Sequence, residues 1–249
     1  MSALIVIQAR TGSTRLPGKV LADLDGRPLL GFQLARLGRV ADARVVVATT
    51  DLDRDDAVAD LCAELGVACV RGPEDDVVTR FALAVDAHPA DEVIRLTADC
   101  PLTDPALVAA VRNLRRLTDA DYAGNTPIRT FPDGLDVEVM TAATFATIHR
   151  EAVDPLDREH VTRFVLQRPD RFRIANLRAP VALADERWTV DTPEDLARVR
   201  EIVAVLDDPL TTPWDRVLAV AGTTTPSAVD TVQADVVADL TLDQLLQEA

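Results

Sequence analysis

The sequence predicts an α/β fold: a mostly parallel, twisted sheet flanked by helices. Three observations carry that expectation. Short apolar runs alternate with amphipathic segments through the first half of the chain, the mark of strand–helix crossovers. The runs are nearly continuous in Val, Ile and Leu, as in strands buried on both faces. Gly, Pro and Asp punctuate the joints, where turns and helix caps need them.

Taken in order, Leu4–Ile7 reads as a buried first strand, followed by a polar loop over Gln8–Lys19. Asp25-Gly26 marks a turn, and Pro28 opens a helix to about Arg39 with Leu29, Leu30, Phe32, Leu34 and Leu37 apolar. Arg44–Ala48 is a second strand, Asp53–Leu65 a helix closed by Gly66, and Val67–Val70 a third strand. Val77–Ala87 is helical. Glu92–Leu96 is a fourth strand running into Thr97-Ala98-Asp99-Cys100-Pro101, and Asp104 caps a helix to Leu117 with Pro105 in its first turn. The second half is less regular. Val137–Met140, Arg171–Leu177 and Arg187–Val190 read as strands, and Ala142–Glu151, Arg158–Gln167 and Pro193–Leu206 as helices. A short helix near Trp214–Val220 and a weak one at Leu242–Leu246 complete the pattern.

The 249 residues, 48% of them apolar, suffice for a sizeable core. No stretch approaches the roughly 20 apolar residues of a membrane span. The start MSALIVIQAR lacks a basic leader, and Cys62, Cys69 and Cys100 lack metal-ligand spacing; a reduced, cytoplasmic protein is expected. A formal net charge of −15 argues against nucleic acid or an anionic membrane as partner. Any bound polyphosphate must then rely on a local group of cations. Arg10, Arg15 and Lys19 form one with no acid between them, and Lys19 is the chain's only lysine. A compact ammonium meets phosphate differently from a planar guanidinium.

These cations sit in the loop after the first strand, QARTGSTRLPGK. Ligands of open parallel sheets bind beyond the carboxyl ends of strands. Gly12 and Gly18 permit close backbone approach, Ser13 offers a hydroxyl, and exposed amides from Ala9 onward can donate to phosphate oxygens. The spacing fits neither a P-loop, since Val20 follows the lysine, nor a Gly-x-Gly-x-x-Gly fingerprint. An ordinary surface turn is the plain alternative.

The run IQARTGSTRLPGKVL resembles the N-terminal signature of the cytidylyltransferases that activate acidic sugars, such as the Kdo and acylneuraminate enzymes. It is most similar to the family called spore coat polysaccharide biosynthesis protein F. RLTADCPLTDP, FPDGLDVEVM, REHVT and WTVDTPEDLARVR extend the likeness, in order, over roughly residues 4–205. The resemblance implies a GT-A-like fold, a nucleoside triphosphate donor, CTP in particular, Mg²⁺ as cofactor and a homodimer. It also implies a nucleotidyltransferase domain over 1–206, leaving 207–249 as a C-terminal extension, packed on the domain or partly mobile.

Moving a nucleotidyl group requires charge on the phosphates to be neutralised, and Mg²⁺ does so with a few carboxylates. Asp99 and Asp191 each follow an expected strand, and two acids at two strand ends can converge on one ion. The resemblance gives both as metal ligands; helix N-capping is the alternative for each. Cys100 stands where the Kdo enzymes carry a further acid. On the acceptor side, Asp133, Asp136 and Glu138 gather near a turn, with Asp136 and Glu138 on one face of a strand. They can hold acceptor hydroxyls, or form a solvated turn. Arg158 can meet a carboxylate and His160 can act as a base, or the two can belong to a helix start. Arg71, beyond the third strand, is a candidate for the nucleotide, and Arg80 a weaker one. The function expected is transfer of CMP from CTP to a sugar-like acceptor with release of pyrophosphate. The alternatives are a sugar 1-phosphate or phosphonate as acceptor, or a GT-A glycosyltransferase.

Overall fold

The computed structural model describes residues 1–222 and the strand 238–241. In the first half, β1 (Ala3–Gln8), β4 (Ala43–Thr50), β5 (Ala68–Gly72) and β6 (Glu92–Thr97) alternate with α1 (Leu29–Leu37), α2 (Asp56–Glu64) and α3 (Val77–Ala87). A two-residue hairpin, β2 (Asp23–Leu24) and β3 (Arg27–Pro28), precedes α1. Its turn places Asp25 and Gly26 at positive φ, 56° and 72°, as a tight hairpin demands. Then follow α4 (Pro105–Leu117), β7 (Tyr122–Gly124), β8 (Glu138–Thr141), α5 (Ala142–Glu151), α6 (Pro155–Glu159), α7 (Arg163–Leu166) and β9 (Ile174–Arg178). The last elements are α8 (Pro193–Ala204), α9 (Trp214–Ala221) and β10 (Ala238–Thr241).

The main sheet runs β10-β9-β7-β8-β6-β1-β4-β5. Every neighbouring pair is parallel except those of β8, which opposes both β6 and β7. The side-chain period of two divides each strand between two cores. On β1, Ala3, Ile5 and Ile7 join a cluster with α1, α4 and α8, whereas Leu4 and Val6 join one with α3, α5 and α7. Because Gln8 registers with Thr97, the carboxyl ends of β1 and β6 finish level, while β4 runs past Ala48 to Thr50. Successive strands leave β1 on one side towards β5 and on the other towards β6, so the loops after β1 and β6 open a crevice between them.

The structure corrects several local expectations. Among the described residues Arg187–Val190 forms no ladder, and its one strand-like contact is a bridge from Arg187 to Asp133. The segment threads between loops, with Trp188 and Thr189 N–H both donating to the Asp133 carbonyl. The helix expected over Arg158–Gln167 is two short ones, because Asp154 caps and Pro155 opens α6 earlier and the chain turns at His160. The helix expected from Asp53 begins as a 3-10 turn over Asp53–Asp55. Strand β7 is too short for a period to announce it. The helix expected at Leu242–Leu246 lies outside the described residues.

One buried charge fixes the amino end of β6. Glu92 is fully buried and receives Arg112, Arg115 and Arg116 from α4, with contacts of 2.7–3.1 Å. Burial pushes the Glu92 carboxyl up, but hydrogen bonds from Arg116, Arg115 and Arg112 outweigh it and hold it below the ordinary 4.5. A lowered folded value means the stabilisation is complete above 4.5 and lost as acid titrates the group. Glu92→Gln should therefore cost about 3 kcal/mol at pH 7 in urea denaturation. The gap to wild type should close as pH falls through the lowered Glu92 value; a gap constant from pH 7 to pH 3 contradicts the role assigned to the carboxylate.

Candidate active site

The loop after β1 is held at both ends. At its start Asp55 takes the Thr11 N–H at 2.6 Å and the Thr11 hydroxyl at 2.8 Å. At its end Gly18 adopts φ 73°, ψ 11°, a left-handed turn open to glycine, and its N–H returns to the Thr11 carbonyl at 2.9 Å. Between these points the backbone N–H groups of Gly12, Thr14 and Arg15 bond to no acceptor among the described residues, which leaves them available to an oxyanion. The turn at Gly18 delivers Lys19 inward, where it is 8% exposed.

Lys19 joins three segments. Its ammonium donates to Asp99 Oδ2 at 2.9 Å, Asp191 Oδ1 at 2.9 Å and the Val190 carbonyl at 2.7 Å. Burial pulls its pKa down, but charge and hydrogen bonding from Asp99 and Asp191 outweigh this and hold it above 10.5. Neither aspartate is spent on a helix cap. Asp104 accepts from Ala106 N–H at the start of α4, and a reciprocal Thr192–Asp195 capping box starts α8. Asp191 Oδ2 is gripped by Arg187 at 2.6 Å and Arg15 at 3.0 Å. Burial raises the Asp191 pKa; Lys19, Arg187 and Arg15 together bring it below 3.8.

A cavity of about 380 Å³ opens here, lined by Arg10, Gly12, Ser13, Arg15, Lys19, Asp99, His160 and Asp191 among others. Eight residues singled out from the sequence thus meet in one place. Ala9 lines a smaller adjoining cavity. Arg10 also reaches Glu74 at 3.3 Å and Glu159 at 3.9 Å. Arg80 also lines the smaller cavity, and the remaining candidates lie outside these walls. Arg71 bonds to Asp56 and the carbonyls of Thr50 and Leu52. Arg158 forms a fork with Asp76 and meets the Thr79 hydroxyl, joining α6 to α3. Glu138 is buried against Arg95 and Tyr122, and Asp136 pairs with Arg129. Arg129 and Arg187 both contact Asp133.

Sequence reasoning overlooked Asp55, Arg187 and Asp195, and also Gln8 and Thr97, which line the large cavity. Arg187 reaches Asp133, Asp191 and Asp195; its place four residues before Asp191 was the available signal. Among the described residues no group of three or more His, Cys, Asp or Glu side chains could hold a metal ion. The two carboxylates that share Lys19 offer hard oxygen donors, the kind that holds Mg²⁺ together with phosphate oxygens and water.

A family model described as cytidylyltransferase matches residues 4–208. The spore coat polysaccharide biosynthesis protein SpsF of Bacillus subtilis is 34% identical over 207 residues, 80% of this chain and 85% of that protein. The 3-deoxy-manno-octulosonate cytidylyltransferase of Pectobacterium carotovorum is 28% identical over 250 residues, 82% of this chain and 99% of that protein. A cytidylyltransferase structure from Leptospira borgpetersenii superposes with a TM-score of 0.83 at 26% identity, over 92% of this chain and 100% of that one.

The segment leading to Asp191 packs against Gly134. At φ 113° this residue lies so near the Trp188–Thr189 backbone that an added Cβ would stand 2.5 Å from Thr189 N. Gly134→Ala must therefore displace the segment that carries Asp191. A loss of about 3 kcal/mol is expected, from backbone strain and overpacking, in urea denaturation. A change within roughly 0.5 kcal/mol, the usual range for an unconstrained surface site, contradicts this reading.

Proposed function

The chain belongs to the cytidylyltransferase family, and from that premise we propose that it transfers CMP from CTP to a hydroxyl of an acidic sugar, releasing pyrophosphate. One observation carries the reading: the single lysine's ammonium bridges carboxylates from the end of β6 and from the approach to α8, beside a glycine loop bearing two arginines. Positive charge gathered there supports the binding of a triphosphate by a chain whose net charge would otherwise repel one. The relatives give the base and the acceptor class, since one of them is named for cytidylyl transfer to a sugar acid.

In this mechanism Arg10, Arg15 and Lys19 hold the triphosphate, and they balance charge as the β,γ portion departs. Preorganised cations of this kind supply much of the rate of phosphorus transfer. The loop amides of Gly12, Thr14 and Arg15 orient the phosphate oxygens. Asp99 and Asp191 are the residues that would hold Mg²⁺, which when bound adds Lewis-acid neutralisation of phosphate charge. His160 lines both cavities and is the group assigned to receive the proton of the acceptor hydroxyl. The Lys19 ammonium stays protonated through the neutral range, so it acts as a fixed charge and not as a base. We assign the working enzyme to the cytoplasm and to a homodimer, following its motif resemblance.

Lys19→Ala and Asp99→Asn should each slow pyrophosphate release from CTP and 3-deoxy-manno-octulosonate by about 10²-fold or more, with the circular dichroism spectrum unchanged. Near-normal release by either variant removes that residue from the site. Of the four nucleoside triphosphates with Mg²⁺, CTP should raise the melting temperature of wild type most. A larger rise with UTP, GTP or ATP contradicts the assignment of the donor.

A further inference from the structure

We propose that Gln33 is a positioning residue for Asp99, acting through the backbone of the loop after β6. The assignment rests on the reading of Asp99 as an active-site carboxylate and adds the residue that fixes its place. Gln33 lies on α1 between Phe32 and Leu34 and is fully buried. An amide withdrawn from water is costly unless hydrogen bonds replace those it gave up. Its Nε2 meets the Thr97 carbonyl, the Cys100 carbonyl and the Thr103 hydroxyl oxygen, each at 3.0 Å.

Those three acceptors bracket Asp99. The loop is two successive turns, in which Cys100 N–H returns to the Thr97 carbonyl and Thr103 N–H to the Cys100 carbonyl, each at 3.2 Å. Asp99 is the third residue of the first turn. Nε2 carries two hydrogens, and the two turn carbonyls can only accept, whereas the Thr103 hydroxyl itself donates to the Cys100 carbonyl at 2.7 Å. One side chain thus clasps both turns from within the core, while Thr97, Ala98 and Asp99 line the large cavity.

The pattern differs from ordinary packing. Gln33 Oε1 has no partner among the described residues, a cost that leucine or methionine at the same place would avoid. Turning the amide over would set that oxygen against two carbonyl oxygens, so the side chain is kept for its donor end. Three residues on, Arg36 is 1% exposed and donates from Nε to the Thr103 carbonyl at 3.1 Å. Two side chains on one helix face therefore hold the loop. The Asp99 carbonyl in turn accepts the Val190 N–H at 2.8 Å, which ties the approach to Asp191 to the same turns. The Asp99 carboxylate meets Lys19 at 2.9 Å. Such a contact has lapsed by about 3.6 Å, so a loop shift of roughly 1 Å parts the pair.

The test uses the chain's single lysine. In protein labelled with ¹³C,¹⁵N-lysine its side-chain signals report the carboxylate beside the ammonium, with no metal, nucleotide or turnover required. At fixed pH, Gln33→Met should move them by more than a linewidth, in the same direction as Asp99→Asn. Glu92→Gln, which removes the buried charge at the other end of β6, controls for general loss of stability and should leave them in place. Unmoved signals in folded Gln33→Met overturn the proposal, as does an equal movement in Glu92→Gln. If Gln33→Met does not fold, Thr103→Val, which takes one hydroxyl from the clasp, should give a smaller movement in the same direction; no movement overturns the proposal. In turnover assays Gln33→Met should lower kcat for CTP-dependent pyrophosphate release by about tenfold or more, with the KM for CTP within about twofold of wild type. A raised CTP KM at unchanged kcat contradicts the assignment and moves Gln33 to the nucleotide side. Absence of pyrophosphate release in wild type would instead sink the function proposed above, and the lysine signals would still decide whether Gln33 sets the place of Asp99.

Discussion

A single ammonium group ties together the parts of this molecule that bear on chemistry. Lys19 meets Asp99 from the end of β6 and Asp191 from the approach to α8, and it caps the Val190 carbonyl as well. An amine this buried would shed its proton if left alone, and two carboxylates this close would repel each other. Each cost offsets the other. The result is a charged but balanced cluster at the crevice, in a protein carrying a formal charge of −15. The ammonium, two arginines of the loop and open backbone amides lie around one volume.

The scaffold keeps that cluster aligned by relieving its members of other duties. The Thr192–Asp195 capping box satisfies the start of α8, so the Asp191 carboxylate turns into the crevice. Asp104 does the same service for Asp99 at the start of α4. Asp55 fixes the loop at Thr11, and Gly134 lets the turn at Asp133 lie against the backbone leading to Asp191. Level strand ends at Gln8 and Thr97 then bring the loops after β1 and β6 to one edge of the sheet. Short-range capping and long-range register act on the same few residues.

Much of this was legible from residue pattern. The apolar runs located β1, β4, β5 and β6, and the helices Val77–Ala87 and Ala142–Glu151 agree with the expected limits. Asp104-Pro105 announced its helix by a side-chain bond that any reader of caps can anticipate. The nearness of Lys19 to Asp99 followed from one rule, that ligands gather beyond the carboxyl ends of parallel strands, whereas Asp191 arrives on a segment that was expected to be a strand and is not one. Other features leave no local trace. RWTV alternates in the same way whether it pairs in a ladder or threads between loops, so its bridge to Asp133 was unreadable. Arg158 has the composition of a ligand-binding side chain, and only the packing of α6 on α3 shows it paired with Asp76. Arg80 is conspicuous because its buried Nε and Nη1 find no partner among the described residues, and a sequence does not record missing partners.

Because Lys19 is the only lysine, its side chain gives one resolved signal in protein labelled with ¹³C,¹⁵N-lysine, and the titration of that signal probes the cluster directly. In wild type the ammonium should remain protonated beyond 10.5; with Asp99 and Asp191 both changed to Asn, burial should prevail and carry the midpoint below that value. A wild-type midpoint at or below 10.5, unmoved by losing both carboxylates, would contradict the charge cluster on which the site is built.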